Sequence, residues 1–114
     1  MFNYCFLSGE VLTEPETKRY GKEGVTIFEL AVMTGHVRAG AIRITCYFRL
    51  AVAAAKHIHQ GDYVAVMGYL FWRFNEVEGK KGPEIVALDL EFVRSDSHVL
   101  GLVFLDAEED EGKE

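Results

Sequence analysis

Apolar and polar positions alternate along most of this chain, as in β-strands that bury one face. The alternation predicts five strands, which cover residues 2–12, 25–33, 41–48, about 63–74 and 84–93. A further apolar run over 99–105 is predicted to be an edge strand or a subunit contact. Because these strands are short and separated by glycine- or proline-containing segments, we predict an all-β domain.

The third predicted strand alternates most cleanly. Its inward face is predicted to carry Ile42, Ile44, Cys46 and Phe48, and its outward face Ala41, Arg43, Thr45 and Tyr47. The next segment, 50–58, is rich in good helix formers and is the one predicted helix, with Gly61 predicted to end it. The segments 13–24 and 34–40 are predicted to be connections.

The fourth predicted strand is apolar or aromatic on both faces. Large aromatic rings near cations at a hairpin tip can bind a single nucleic-acid strand, because bases stack on rings and cations neutralise phosphates. Burial of both faces, one in the core and one in a subunit contact, is the alternative, and this segment alone slightly favours it. One face carries Val64, Val66, Leu70, Trp72 and Phe74, and the other carries Tyr63, Met67, Tyr69, Phe71 and Arg73, with Lys80 and Lys81 in the charged turn that follows.

The charge of the chain is unevenly distributed. Its 114 residues carry a net charge of −6, but residues 106–114 hold six acids and one lysine. Residues 1–105, with twelve acids and eleven bases, are therefore almost neutral. We predict one domain over 1–105 and a disordered acidic tail over 106–114, which cannot bury enough apolar area to fold. A neutral body is less cationic than a strong binder of phosphate backbones requires.

Several classes of protein are disfavoured by the sequence. No apolar run is long enough for a transmembrane helix, and the N-terminus lacks the features of a signal peptide, so we predict a cytoplasmic protein without membrane contact. Cys5 and Cys46 lie in apolar strand patterns and are predicted to be buried thiols. No nucleophile with a base, paired carboxylates, phosphate loop or metal-ligand spacing is present, which predicts no enzyme, no cofactor and no metal.

Five strands with one helix between the third and fourth is the element order of the five-stranded OB-fold barrel. Particular residues also match a known family in order and spacing. These are the opening Asn3 to Gly9, the Glu14-Pro15-Glu16 segment, and the block Gly61 to Leu70 that follows the helix. Over residues 1–93 the chain resembles bacterial single-stranded-DNA-binding proteins.

The resemblance implies sequence-tolerant binding of single-stranded DNA in replication, recombination or repair. It also implies a homo-oligomer formed through the first strand, a tetramer or else a dimer, with replication or repair proteins as further partners. By position, the family's stacking residues fall on the third predicted strand and on an extended hairpin of the fourth and fifth. With the neighbouring cations, the predicted DNA-binding residues are Arg43, Tyr47, Tyr69, Phe71, Trp72, Arg73, Phe74, Lys80 and Lys81.

The chain departs from this family at three tryptophan positions, which correspond to Ala41, Asn75 and the Gly35–His36 segment. Trp72, with Phe71 and Phe74, is the predicted replacement, and we expect a lower affinity than in a typical member. The tail also lacks the family's apolar tip.

Two alternative functions therefore stay open. One is a dimeric accessory similar to primosomal replication protein B, which binds a helicase as well as DNA. The other is a protein-interaction module that has lost DNA binding.

Overall fold

The structure, a computed structural model, describes residues 1–20, 23–34, 37–75, 80–93 and 99–101. Within these ranges no helix is long and apolar enough to cross a membrane. The predicted tail, 106–114, lies outside the described residues. The elements are β1 (Cys5–Glu10), β2 (Glu16–Tyr20), β3 (Glu23–Thr34), β4 (Val37–Tyr47), α1 (Phe48–His57), β5 (Tyr63–Asn75), β6 (Lys80–Val93) and β7 (Val99–Gly101).

The strands form one curled sheet in the order β1-β5-β6-β4-β3-β2, with β7 paired to β6. β4 and β6 are parallel, and the other neighbours are antiparallel. A bridge between Val11 and Leu30 brings the end of β1 to β3, and the Leu12 amide donates to the Glu29 carbonyl at 2.8 Å. This curled sheet, with one helix between β4 and β5 and an extended β5–β6 hairpin, confirms the predicted OB-fold.

The barrel interior is filled by the inward residues of five strands. α1 packs against it through Leu50, Ala51, Ala53 and Ala54, whose small side chains let the helix approach the sheet closely. The hydroxyl of buried Thr26 donates to the Ala51 carbonyl at 2.7 Å, which ties the helix to β3. The largest fully buried apolar side chains are Phe28, Leu30, Ile44, Ile58, Ile85, Leu90, Val11, Val64 and Val66.

Two glycines allow strands to approach closely. A Cβ added at Gly9 would lie 2.3 Å from the Ala31 carbonyl oxygen, and one at Gly68 would lie 2.1 Å from that of Val86. No side chain fits at such distances. Gly68 also marks a β-bulge, because Met67 pairs with Asp89 whereas Gly68 pairs with Ala87, which leaves Leu88 unpaired in β6.

Several predicted boundaries were wrong. The predicted connection 13–24 contains β2, which pairs with β3 from Glu16 opposite Ile27 to Tyr20 opposite Glu23. β4 begins at Val37, inside the predicted loop, and β6 begins at Lys80, inside the predicted charged turn. In each case pairing with a neighbouring strand outweighs the turn-forming residues, since the backbone hydrogen bonds do not depend on the side chains. β1 is shorter than predicted, whereas β7 confirms an edge strand over 99–101.

The end of β4 also differs from the prediction. Phe48 was predicted to face inward with Cys46, but it is the first residue of α1 and its side chain is 69% exposed. The alternation fails there because the chain turns from strand to helix. The helix ends at His57, with Ile58 extended, so Gly61 does not end it. Gly61 has a φ of +96° in the turn before β5, and its amide donates to the Val11 carbonyl at 2.8 Å.

Both cysteines are free thiols. Cys46 is fully buried in the core, as predicted, whereas Cys5, also predicted to be buried, is only half-buried against it. Burial raises the pKa of the Cys46 thiol to about 12, because the charged thiolate would lose its hydration.

The raised pKa predicts a loss of stability at alkaline pH. Above pH 9, the ordinary value for this thiol, Cys46 ionises in the unfolded chain but stays protonated in the folded one up to about pH 12. Between pH 9 and 11 this lowers the free energy of unfolding with a slope that rises to about 1.4 kcal/mol for each pH unit. Urea unfolding of the native chain and of Cys46→Ala across this range measures the effect, since other titrating groups contribute equally to both. Equal slopes against pH would contradict it.

Candidate nucleic-acid interface

β5, β6 and β4 lie side by side and align several predicted binding residues on one face of the sheet. Phe71 pairs with Glu84, and Glu84 pairs with Arg43, so these side chains form one row across three strands. Residues directly opposite each other in paired strands point to the same side. This row lies on the side away from the core, because the alternate residue Ile44 is fully buried in it.

A second row lies beside the first. Tyr69 pairs with Val86 and Val86 with Thr45, and Tyr47 follows Thr45 two residues further along β4. Neighbouring strands are about 4.8 Å apart, so residues on β4 and β5 in one row are separated by about 10 Å. We call the surface formed by the two rows and Tyr47 the outer face; its residues are Arg43, Thr45, Tyr47, Tyr69, Phe71, Glu84 and Val86.

The aromatic side chains of this region are open to solvent to different degrees. On the outer face, Phe71 is 50% exposed and Tyr47 38% exposed, while Tyr69 is half-buried. Trp72 lies on the opposite side of β5, the side on which Leu70 packs against the core. The core ends at Leu70, so the indole beyond it is 62% exposed. Rings on both sides of the hairpin are therefore available to a ligand.

Carboxylates neighbour Arg43, the one arginine among the described side chains of the outer face. Arg43 is exposed, and it pairs with Glu29 on β3 and with Glu84 on β6. It also lines a shallow depression of about 210 Å³ together with Glu14 and Glu16. These carboxylates offset much of the positive charge of Arg43 in its immediate surroundings. This distribution agrees with the near-neutral charge of residues 1–105, and it reduces the attraction that Arg43 alone exerts on a phosphate.

The buried carboxylate of Glu84 lies in the first row and was not singled out from the sequence. Glu84 is only 3% exposed, and its Oε2 accepts a hydrogen bond from the Thr45 hydroxyl at 3.0 Å. Thr45 lies on the outer face, as predicted, but its side chain is fully buried there. The two residues are 39 positions apart, so no local pattern could reveal the pair. This hydrogen bond joins side chains of β4 and β6 and helps to hold the two strands in register.

The N-terminal segment positions the base of the hairpin. The Asn3 side-chain amide donates to the Leu70 carbonyl at 2.9 Å, and its oxygen accepts from the Leu70 amide at 3.0 Å. In this double hydrogen bond the Asn3 side chain, instead of a backbone, extends the β1–β5 pairing to Leu70. Beyond this point β5 no longer covers the core. Asn3 matched the family pattern in the sequence, but nothing in the sequence indicated this role.

Four predicted binding residues lie further along the hairpin. Arg73 pairs with Gly82, and Phe74 pairs with Lys81. Lys80 begins β6 opposite Asn75. The structure describes only the backbone of Arg73, Phe74, Lys80 and Lys81, so their part in binding stays a prediction. In the described part of the chain, no group of three or more His, Cys, Asp or Glu residues is arranged to hold a metal ion.

No protein-family model and no curated protein sequence matches the chain. Solved structures do match it. A small single-stranded DNA-binding protein from Streptomyces coelicolor has a TM-score of 0.73 at 20% identity, covering 86% of this chain and 99% of that one. The second single-stranded DNA-binding protein (SSBb) of Mycobacterium smegmatis has a TM-score of 0.65 at 23% identity, covering 78% and 87%. A Plasmodium falciparum SSB in complex with ssDNA has a TM-score of 0.69 at 24% identity, covering 82% and 96%. At these identities the similarity establishes the shared fold.

Proposed function

We propose that this protein binds single-stranded DNA with little sequence preference and without catalysis. The observation that carries the proposal is the set of aromatic rings on β4 and β5, with exposed Tyr47 and Phe71 and half-buried Tyr69 on the outer face and exposed Trp72 on the opposite side of β5. Every base offers a flat surface to such rings, so stacking tolerates any sequence. The three structural neighbours are single-stranded-DNA-binding proteins by name, and one of them was solved with ssDNA.

Stacking is expected to contribute more than charge to the affinity. Each base that stacks on an aromatic side chain contributes about 1–3 kcal/mol. Phosphate contacts are assigned to Arg43, Arg73, Lys80 and Lys81, but the acids beside Arg43 reduce its share. Since the salt dependence of binding reports the number of neutralised phosphates, we expect a shallow dependence.

The exposed side of β1 supports assembly of several copies. Phe6 is exposed and pairs with Met67, which is exposed as well, and the two line a depression with Ala65 that is flanked by the carboxylates Asp89 and Glu91. Burying such a surface between copies would remove apolar area from water. We propose a homo-oligomer through β1, a tetramer acting in cytoplasmic DNA replication, recombination or repair. Light scattering tests this, and a dimer would instead favour the primosome-type accessory.

The proposed function is tested by fluorescence, because Trp72 is the only tryptophan of the chain. Titration with a long oligothymidine at two salt concentrations is expected to quench the indole emission, with somewhat weaker binding at the higher salt. A mobility shift of the oligonucleotide provides a readout that does not depend on Trp72. If neither quenching nor a shift occurs, the protein does not bind single-stranded DNA and the interaction-module alternative is correct.

A further inference from the structure

Phe48 occupies an unusual position at the junction of β4 and α1. Its φ is +55°, which makes it the only non-glycine residue with a positive φ among the described residues. A bulky side chain in this left-handed region is a genuine outlier and is strained. The ring is also 69% exposed, so little burial in the barrel offsets the strain. Strained residues of this kind concentrate at sites that bind ligands.

The ring of Phe48 lies at the edge of a groove between α1 and the β2–β3 pair. This α1 groove has a volume of about 620 Å³. Its apolar wall is formed by Phe48, Val52 and Ala55, and its cations are Arg19, Arg49 and Lys56. Of the described side chains that line it, none is acidic. An anionic ligand with apolar parts fits this combination.

The α1 groove is held in shape by a chain of hydrogen bonds. The Thr26 hydroxyl donates to the Ala51 carbonyl at 2.7 Å, and the hydroxyls of Thr17 and Thr26 are 3.0 Å apart. Thr17 and Ala51 both line the groove. β2, β3 and α1 are thereby fixed to one another, so a ligand would not have to order them on binding.

The α1 groove continues the outer face. The rings of Tyr47 and Phe48 are in contact, with centroids 6.4 Å apart and planes tilted by 46°. Tyr47 belongs to the outer face, and Phe48 belongs to the groove. A single strand lying on the outer face can therefore pass from one ring to the next without leaving an aromatic surface.

We propose that the α1 groove holds a further stretch of the single DNA strand, with a base on Phe48 and phosphates near Arg19 and Arg49. This rests on the proposed function. A nucleic-acid strand supplies both features that the groove requires, flat apolar bases and a negative charge at every link. The acidic tail, 106–114, supplies the charge but no aromatic residue and no aliphatic side chain larger than that of Ala107. DNA is therefore the better-matched occupant.

The test compares three substitutions of Phe48 in the full chain. Phe48→Gly and Phe48→Asn remove the ring and relieve the strain, because glycine and asparagine tolerate a positive φ. Phe48→Tyr keeps the ring. Binding of a labelled long oligothymidine is measured by anisotropy, and folding by thermal unfolding. We expect Gly and Asn to weaken binding about 5- to 150-fold with an unchanged or higher unfolding temperature, and Tyr to bind as the native chain does.

Tyr63→Ala is the matched control. Its ring is 57% exposed, and it lies just beyond the other end of α1, in a depression with His59 and Phe92. Its loss is expected to leave the affinity unchanged. If the native chain binds and Phe48→Gly binds equally well, the groove assignment is wrong and the proposed function stands. Tighter binding by Phe48→Gly would identify the acidic tail as the occupant and overturn the proposal. If the native chain does not bind, both proposals fail.

Discussion

Replacing both Phe71 and Trp72 by alanine is expected to weaken the binding of long oligothymidine about 30-fold or more. Each lost base stack removes about 1–3 kcal/mol, and 1.4 kcal/mol corresponds to a factor of ten. The two rings lie on opposite sides of β5, and both are largely outside the core. At least one of the single substitutions should therefore show a loss of its own, about fivefold or greater.

This experiment needs a readout that survives the loss of the only tryptophan, such as anisotropy of a labelled oligonucleotide. Because both rings are exposed, their removal leaves no cavity in the core, and the unfolding transition should hardly move. Tyr63→Ala again provides the control, since it removes an exposed ring from the far end of the same strand. Unchanged affinity in the double variant would remove the hairpin from the binding site.

Gly68→Ala is expected to destabilise the fold by about 4 kcal/mol or more, or to prevent folding. The added Cβ would lie 2.1 Å from the Val86 carbonyl oxygen and 2.9 Å from its carbon. These are backbone atoms of the paired strand, so no side-chain rotation relieves the overlap. β5 and β6 would have to separate at the bulge, where the outer face and the core meet.

Urea unfolding measures this loss, and Gly82→Ala is the matched control. Gly82 lies in β6 of the same hairpin, opposite Arg73, and an added Cβ there meets nothing within 4 Å. Its substitution should change the free energy of unfolding by less than about 1 kcal/mol, and it can be stabilising because alanine restricts the unfolded chain. If Gly68→Ala unfolds at the same urea concentration as the native chain, the two strands are not in such close contact.

The bulge that Gly68 marks also decides which side chains reach the outer face. In β6, Ile85 and Ala87 are buried in the core, and after the unpaired Leu88 the buried residue is Leu90. The inward set thus changes from odd to even positions at Leu88. Without this change, a strand that places Val86 beside Tyr69 on the outer face could not also direct Leu90 into the core. A regular alternation of apolar and polar residues in the sequence cannot reveal such a shift, because the extra residue can be recognised only once β6 is paired with β5.

The amino-acid sequence alone determined the order of the main strands, the position of the helix α1 and the inward face of β4 from Ile42 to Cys46. These follow from the spacing of apolar residues within one segment, which reflects burial directly. The sequence also located the aromatic hairpin, because a strand with rings on both faces can be identified from its own residues, without knowledge of the strands that pair with it. The match of ordered motifs then indicated the fold, which the structure confirms.

Tertiary structure alone decided the features that depend on distant residues. β2 forms because β3 pairs with it, and the buried hydroxyl of Thr45 finds its acceptor in Glu84, 39 residues away. Phe48 leaves the core because the chain must turn into α1 at that point and pack the helix against β3. Such contacts join segments that are remote in the chain, and their free energy outweighs the local preferences from which a sequence pattern is interpreted.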